Sequence, residues 1–133
     1  MKKIGFCIIS MICYFTIFSC NLFPQVAVVK IINSSGEEVR NIVVSYEHAG
    51  KNQMQTVKID RLSNNESKTL DLELTSPSIA IGAGVATVFG KIEYYINDIK
   101  FDTNNGDGDI NLSDGTKSII TIYKTGWHIA REK

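Results

Sequence analysis

The sequence predicts an all-β fold, an antiparallel β-sandwich of roughly seven to eight strands standing behind an N-terminal signal segment. Three observations predict it. Beyond Gln25 the apolar residues recur with a period of two rather than about 3.6. Clusters of Asn, Ser, Gly and Asp interrupt these runs at short intervals, as they do between short strands. No segment keeps helical spacing, and Pro24 and Pro77 are the only prolines in the chain. The 133 residues fit one small domain. With 44% apolar side chains and 14 basic against 14 acidic groups, the chain has neither the composition of a disordered segment nor a basic stripe for gripping nucleic acid.

The first element is an address. Lys2 and Lys3 make a positive start, and no charged residue follows until Lys30. From Ile4 to Phe18 the chain reads IGFCIISMICYFTIF. At about fifteen residues this suits a secretory h-region and falls short of the roughly 18–20 needed to span a bilayer. Residues 1–19 are therefore expected to be a signal peptide. The tetrapeptide Ile17-Phe18-Ser19-Cys20 closes the segment and resembles the lipobox of bacterial lipoproteins. Phe18 stands where that family usually has a small residue. The resemblance implies cleavage after Ser19, acyl chains on Cys20, and a protein held on the cell membrane or outer membrane, facing the periplasm or the exterior. Its implied partner is membrane lipid through acylated Cys20, with an envelope or host protein as a further partner and no nucleic acid.

Cysteine count agrees with an anchor. Cys7 and Cys13 lie inside the apolar run, so of three cysteines only Cys20 would remain after cleavage. No disulfide can then form within the domain, and its stability must come from its core. Removing Lys2 and Lys3 leaves the chain slightly acidic, so attachment would rest on acyl chains at about 0.8 kcal/mol per buried CH₂ rather than on a polybasic patch. Residues 20–25 form a short tether, in which Asn21 to Gln25 reads NLFPQ.

The strands follow in order over residues 26–133. Val26 to Asn33 (VAVVKIIN) is apolar on both faces apart from Lys30, and Asn33-Ser34-Ser35-Gly36 is a turn cluster. Ile42, Val44 and Tyr46 alternate with Val43, Ser45 and Glu47, then Val57 and Ile59 with Lys58 and Asp60. After the polar turn Asn64–Ser67, Leu70, Leu72 and Leu74 alternate with Asp71 and Glu73, a half-buried strand. Ser78 to Phe89, with Gly82 and Gly84 inside it, reads as a bent strand. Ile92, Tyr94 and Ile96 share one parity and Ile99 and Phe101 the other, which places a tight turn or a bulge at Asn97-Asp98. Lys117 to Tyr123 is β-branched, and Trp127 and Ile129 are expected to extend that strand past Gly126. In outline this resembles small immunoglobulin-like and transthyretin-like sandwiches, at the level of architecture only.

Candidate chemistry is sparse. Asp102 to Asp114 reads DTNNGDGDINLSD, and calcium loops place oxygen ligands at positions 1, 3, 5 and 12 with Gly at 6. With Gly108 at the sixth place, Asn105, Asp107 and Asp114 become the candidate ligands of a weak calcium site, similar to the dockerin form of the loop. Thr103 then stands first, with Asp102 one residue out of register. The alternative is a connection between strands whose Gly, Asn and Asp supply positive φ. Gly82-Ala83-Gly84 lacks the third glycine of a dinucleotide loop, since Thr87 stands there. His48 and His128, the only histidines, read as surface imidazoles, and Glu37-Glu38 as a solvated turn pair. Trp127, Tyr123, Tyr94 and Tyr95 are either core or a binding face. With no nucleophile beside a base in the sequence, the expected function is a non-catalytic binding or structural module with no cofactor beyond weak Ca²⁺. A small envelope hydrolase assembled from distant residues, and a secreted calcium-dependent adhesion domain, are the alternatives.

Overall fold

A computed structural model describes residues 25–48, 53–74 and 87–132. The signal segment, Cys20 and the glycines at 82 and 84 lie outside the described residues. The strands are β1 Val26–Asn33, β2 Val39–His48, β3 Gln53–Leu62, β4 Ser67–Glu73 and β5 Val88–Ile96. They continue as β6 Ile99–Phe101, β7 Gly106–Asp107, β8 Asn111–Leu112, β9 Lys117–Tyr123 and β10 Gly126–Arg131. One sheet runs β4-β1-β9-β10-β7 and the other β3-β2-β5-β6, with β8 on the same side of β5 as β6. The chain is an all-β sandwich of two mostly antiparallel sheets.

Alternation in sequence becomes alternation of faces. Ile42, Val44 and Tyr46 of β2, Leu70 and Leu72 of β4, and Ile92, Tyr94 and Ile96 of β5 all point inward and are buried. With Val29 and Ile31 of β1 and Ile120 and Ile122 of β9 they form one continuous core between the two sheets. Each such side chain contributes about 1.5–3 kcal/mol on burial. Every cysteine of the chain precedes residue 25, so this apolar area carries the fold without a crosslink.

Two details differ from the sequence reading, and a third decides between its alternatives. Two pairings are parallel, β1 with β9 and β7 with β10. In both, the paired strands are not hairpin neighbours, and a crossover connection permits parallel alignment. Trp127 and Ile129 do not prolong β9: the chain reverses at Lys124-Thr125, and β10 folds back with Trp127 opposite Ile122. Gly126 thus opens a new strand rather than interrupting an old one. Asn97-Asp98 is a two-residue hairpin turn, both residues having positive φ (47° and 65°), which is the type I′ geometry that matches strand twist. The bulge lies elsewhere, between Arg40 and Val43 of β2, where Asn41 has φ 49°.

The sandwich has two ends about 25 Å apart, the length of an eight-residue strand such as β1. At the near end the chain enters the fold. The Gln25 carbonyl accepts from Leu74 N at 2.8 Å, and Val26 N donates to Asp114 Oδ1 at 2.9 Å. At the far end lie the turns after β1, between β3 and β4, and at Asn97-Asp98.

Candidate functional site

The far end is organised by Asn33, the last residue of β1, which is fully buried. Its Nδ2 donates to the carbonyls of Glu37 (2.7 Å) and Leu62 (2.8 Å). Its Oδ1 accepts from Ser35 N (3.0 Å) and Ser35 Oγ (2.7 Å). One amide side chain thereby fastens β1, the Ser34–Gly36 turn, the start of β2 and the end of β3. The turn is also tied to the β3–β4 turn, because Gly36 N donates to Asn64 Oδ1 at 3.0 Å. Gly36 itself has φ +86°, a conformation that favours glycine there.

Beyond this fastening, Glu37, Glu38, Arg40 and Asn41 of the β2 approach meet Tyr95, Asn97 and Asp98 of the β5–β6 hairpin around an open hollow of about 510 Å³. The pairing of Val39 with Ile96 brings the two segments together. Three of the lining residues, Asn41, Asn97 and Asp98, are the non-glycine residues with positive φ on these two segments. The hollow carries three carboxylates against one guanidinium. Arg40 Nε donates to Glu38 Oε1 at 2.6 Å, with both side chains in contact with water. The hydrogen bond and charge of Glu38, and more weakly the charge of Asp98, hold the Arg40 proton more tightly than usual against slight desolvation. The arrangement offers carboxylate acceptors, amides and a phenol ring to a polar partner. Sequence reading took Glu37-Glu38 only as a solvated turn. The carboxylates are indeed at the surface, but their neighbours come from residues more than fifty positions away through the β2–β5 register.

The two histidines occupy different surroundings. His48 is 1% exposed, contrary to the surface reading, and its Nε2 lies 3.7 Å from Glu73 Oε1. It shares the inward parity of Ile42, Val44 and Tyr46, which was visible in the sequence. Burial, with the charge of Glu73 adding to it, also pushes the Tyr46 phenol up from its ordinary range, against a backbone hydrogen bond from Glu73 that lowers it. His128 is half exposed, with Nδ1 3.5 Å from Asp107 Oδ2. It lines a shallow hollow of about 410 Å³ with Asn105, Tyr123 and Trp127. The Asp107 carboxylate is 91% exposed, so solvent screens this pair.

The calcium candidates are turned to separate partners. Asp102 caps a one-turn 3₁₀ helix at Thr103–Asn105, accepting from Asn104 N, while Asn105 Oδ1 accepts from Asp102 N, each at 2.8 Å. Asp107 faces His128, and Asp114 holds Val26 N at the near end. Among the described residues no three His, Cys, Asp or Glu side chains form a group able to hold a metal ion. Gly108 has φ +113°, as a Gly-rich connection requires. Of the four aromatics singled out by sequence, Trp127 and Tyr94 are buried, Tyr95 lines the far-end hollow, and Tyr123 is exposed. Trp127 Nε1 donates to the Asp102 carbonyl at 3.0 Å, and its indole covers Gly106 so closely that a Cβ there would meet the ring at 1.9 Å.

Fold and site together define a two-sheet β-sandwich with an open polar hollow at one end. No protein-family model and no curated protein matches the chain. Among solved structures it is similar to an NMR structure of a protein from Eubacterium rectale, with 18% identity, a TM-score of 0.45, and coverage of 82% of this chain and 90% of that one. A likeness of that size carries no argument about function.

Proposed function

We propose that the chain is exported, cleaved before Cys20 and held on the cell membrane or outer membrane by acyl chains on that residue. There its sandwich faces the periplasm or exterior as a non-catalytic binding or structural module. One observation carries this reading: the Lys2-Lys3 start and apolar run end at Ser19-Cys20, five positions before Gln25, whose carbonyl is already bonded into the fold. Five extended residues reach at most about 17 Å, so the near end is kept beside the bilayer. The far-end hollow is then directed away from it, towards an envelope or host protein partner. Its residues suit recognition better than catalysis: the strongest pair, Glu38 and Arg40, is satisfied internally, and neither histidine contributes to its lining. The test is the intact mass of the protein extracted from its own membranes. The expected species begins at Cys20 and carries added acyl mass; an unmodified Cys20, or the uncut 133-residue chain in the soluble fraction, refutes the anchor.

A further inference from the structure

Exposed large apolar side chains are few among the described residues, and two of them stand together at the near end. Phe89 is 67% exposed and Met54 52%. In β5 the residues Val88, Gly90 and Ile92 face inward, which turns Phe89 and Lys91 outward. Met54 pairs with Glu47, whose neighbour Tyr46 pairs with Gly90, the residue that follows Phe89. Phe89 and Met54 therefore stand on the two strands that flank β2, on one outer face and on either side of Glu47, two strand spacings of about 5 Å each across the sheet.

Connections place this corner beside the chain entrance. Phe89 pairs with Asn111, three positions before Asp114, whose carboxylate holds Val26 N. One strand spacing, three extended residues and the Asp114 side chain with its hydrogen bond put Phe89 within about 20 Å of Val26. Segment 75–86, outside the described residues, contains no charged side chain and connects to the fold through Leu74 and Thr87, so both of its attachments lie at this end.

We propose that the Phe89–Met54 corner docks on a phospholipid surface, the one to which Cys20 is tied; the proposal rests on the anchoring reading above. Phe89 and Met54 enter the boundary between headgroups and acyl chains. Lys91, about 7 Å further along β5, reaches back to the phosphates with its ammonium. Glu47 between the two apolar groups keeps the contact shallow, because a carboxylate stays at headgroup depth. Docked in this way, the domain rests on the near-end corner of the β3-β2-β5-β6 sheet, with the far end raised from the bilayer, instead of swinging on its tether.

The test uses the full chain with Phe89→Trp or, separately, Met54→Trp, extracted from membranes, checked by intact mass and reconstituted into vesicles of phosphatidylcholine and phosphatidylglycerol. Half of each preparation receives lipid brominated near the top of its acyl chains. The expected result is about a twofold loss of the added tryptophan's emission in brominated vesicles, with wild type, whose Trp127 is buried, and Ile99→Trp at the far end unchanged. Acylated protein whose tryptophan at 89 and at 54 is unquenched overturns the docking and leaves the anchor standing. An unmodified Cys20 in the mass spectrum overturns both. A blue shift that grows with protein concentration and ignores bromine assigns the corner to a second copy of the chain, and also overturns the proposal.

Discussion

Replacing Asn33 with alanine should be the most damaging single truncation at the far end. The side chain makes four hydrogen bonds in a fully buried site. Not all four are lost without remedy, because Ser35 Oγ also donates to the Glu37 carbonyl at 3.0 Å, so that carbonyl keeps one partner. What remains is the Leu62 carbonyl without its amide donor and Ser35 N without its acceptor. At about 1–3 kcal/mol for each buried group left unpaired, the loss comes to roughly 2–6 kcal/mol, against a total of about 5–15 for a domain of this kind. Asn33→Asp should be comparably harmful, since a carboxylate cannot donate to either carbonyl and would itself be buried. Equilibrium urea unfolding of the chain from Asn21 onward, followed by Trp127 fluorescence, measures the change. Trp127 is the only tryptophan and is 2% exposed, so its emission reports loss of the core directly. A midpoint shift worth less than about 1 kcal/mol would show that the fastening is not built through this amide. Hydrogen exchange should rise first at Glu37 and Glu38, which would lose their fixed position beside the hollow.

Three further substitutions probe the β7–β10 edge, the turn before β9 and the core. Gly106→Ala drives a methyl into the Trp127 ring and should cost about 3 kcal/mol in the same unfolding assay, while Gly115→Ala, which meets nothing within 4 Å but has φ +72°, should cost only about 1 kcal/mol from backbone strain. Tyr94→Phe should leave stability at neutral pH unchanged or slightly higher, because the buried hydroxyl has no hydrogen-bond partner among the described residues and the ring keeps its stacking on Phe101 at 5.2 Å. The same variant should differ in alkali. Burial pushes the Tyr94 phenol well above its ordinary value, so the folded state holds that proton more tightly than the unfolded chain does. The associated stability is complete below the unfolded value of about 10 and is lost as pH rises beyond it. Wild type should therefore weaken above about pH 10 more steeply than Tyr94→Phe, and parallel curves would refute that assignment.

What could be read from sequence was what is local. The alternation of Leu70, Leu72 and Leu74 needs no knowledge of the rest of the chain, because side chains in a strand point to opposite faces whatever pairs with it. The parity break at Asn97-Asp98 located the turn for the same reason. His48 was legible by that rule and was misjudged on residue type, since an imidazole on the inward parity of β2 is buried however polar it is. The reversal at Lys124-Thr125 was missed because Gly126 and Trp127 keep the β-branched character of the preceding run. The parallel β1–β9 pairing and the far-end hollow lay beyond such reasoning. Nothing near Glu38 in sequence announces Tyr95 or Asp98; only the β2–β5 register brings them together. The signal segment and Cys20 were the reverse case, a reading carried wholly by sequence.

The place of β1 in its sheet has a consequence for biogenesis. It is flanked by β4 on one side and by β9 on the other, with Val28 aligned to Lys117 and Asn33 to Ile122. Until the ribosome has delivered residue 123, the first strand of the domain has one bare flank and an unfilled half of its hydrophobic layer. Closure thus joins segments roughly ninety positions apart, the kind of long-range pairing that folds slowly. A nascent chain of this design stays threadable for most of its synthesis, and any truncation that removes β9 should yield a product prone to pair its open edge with other chains.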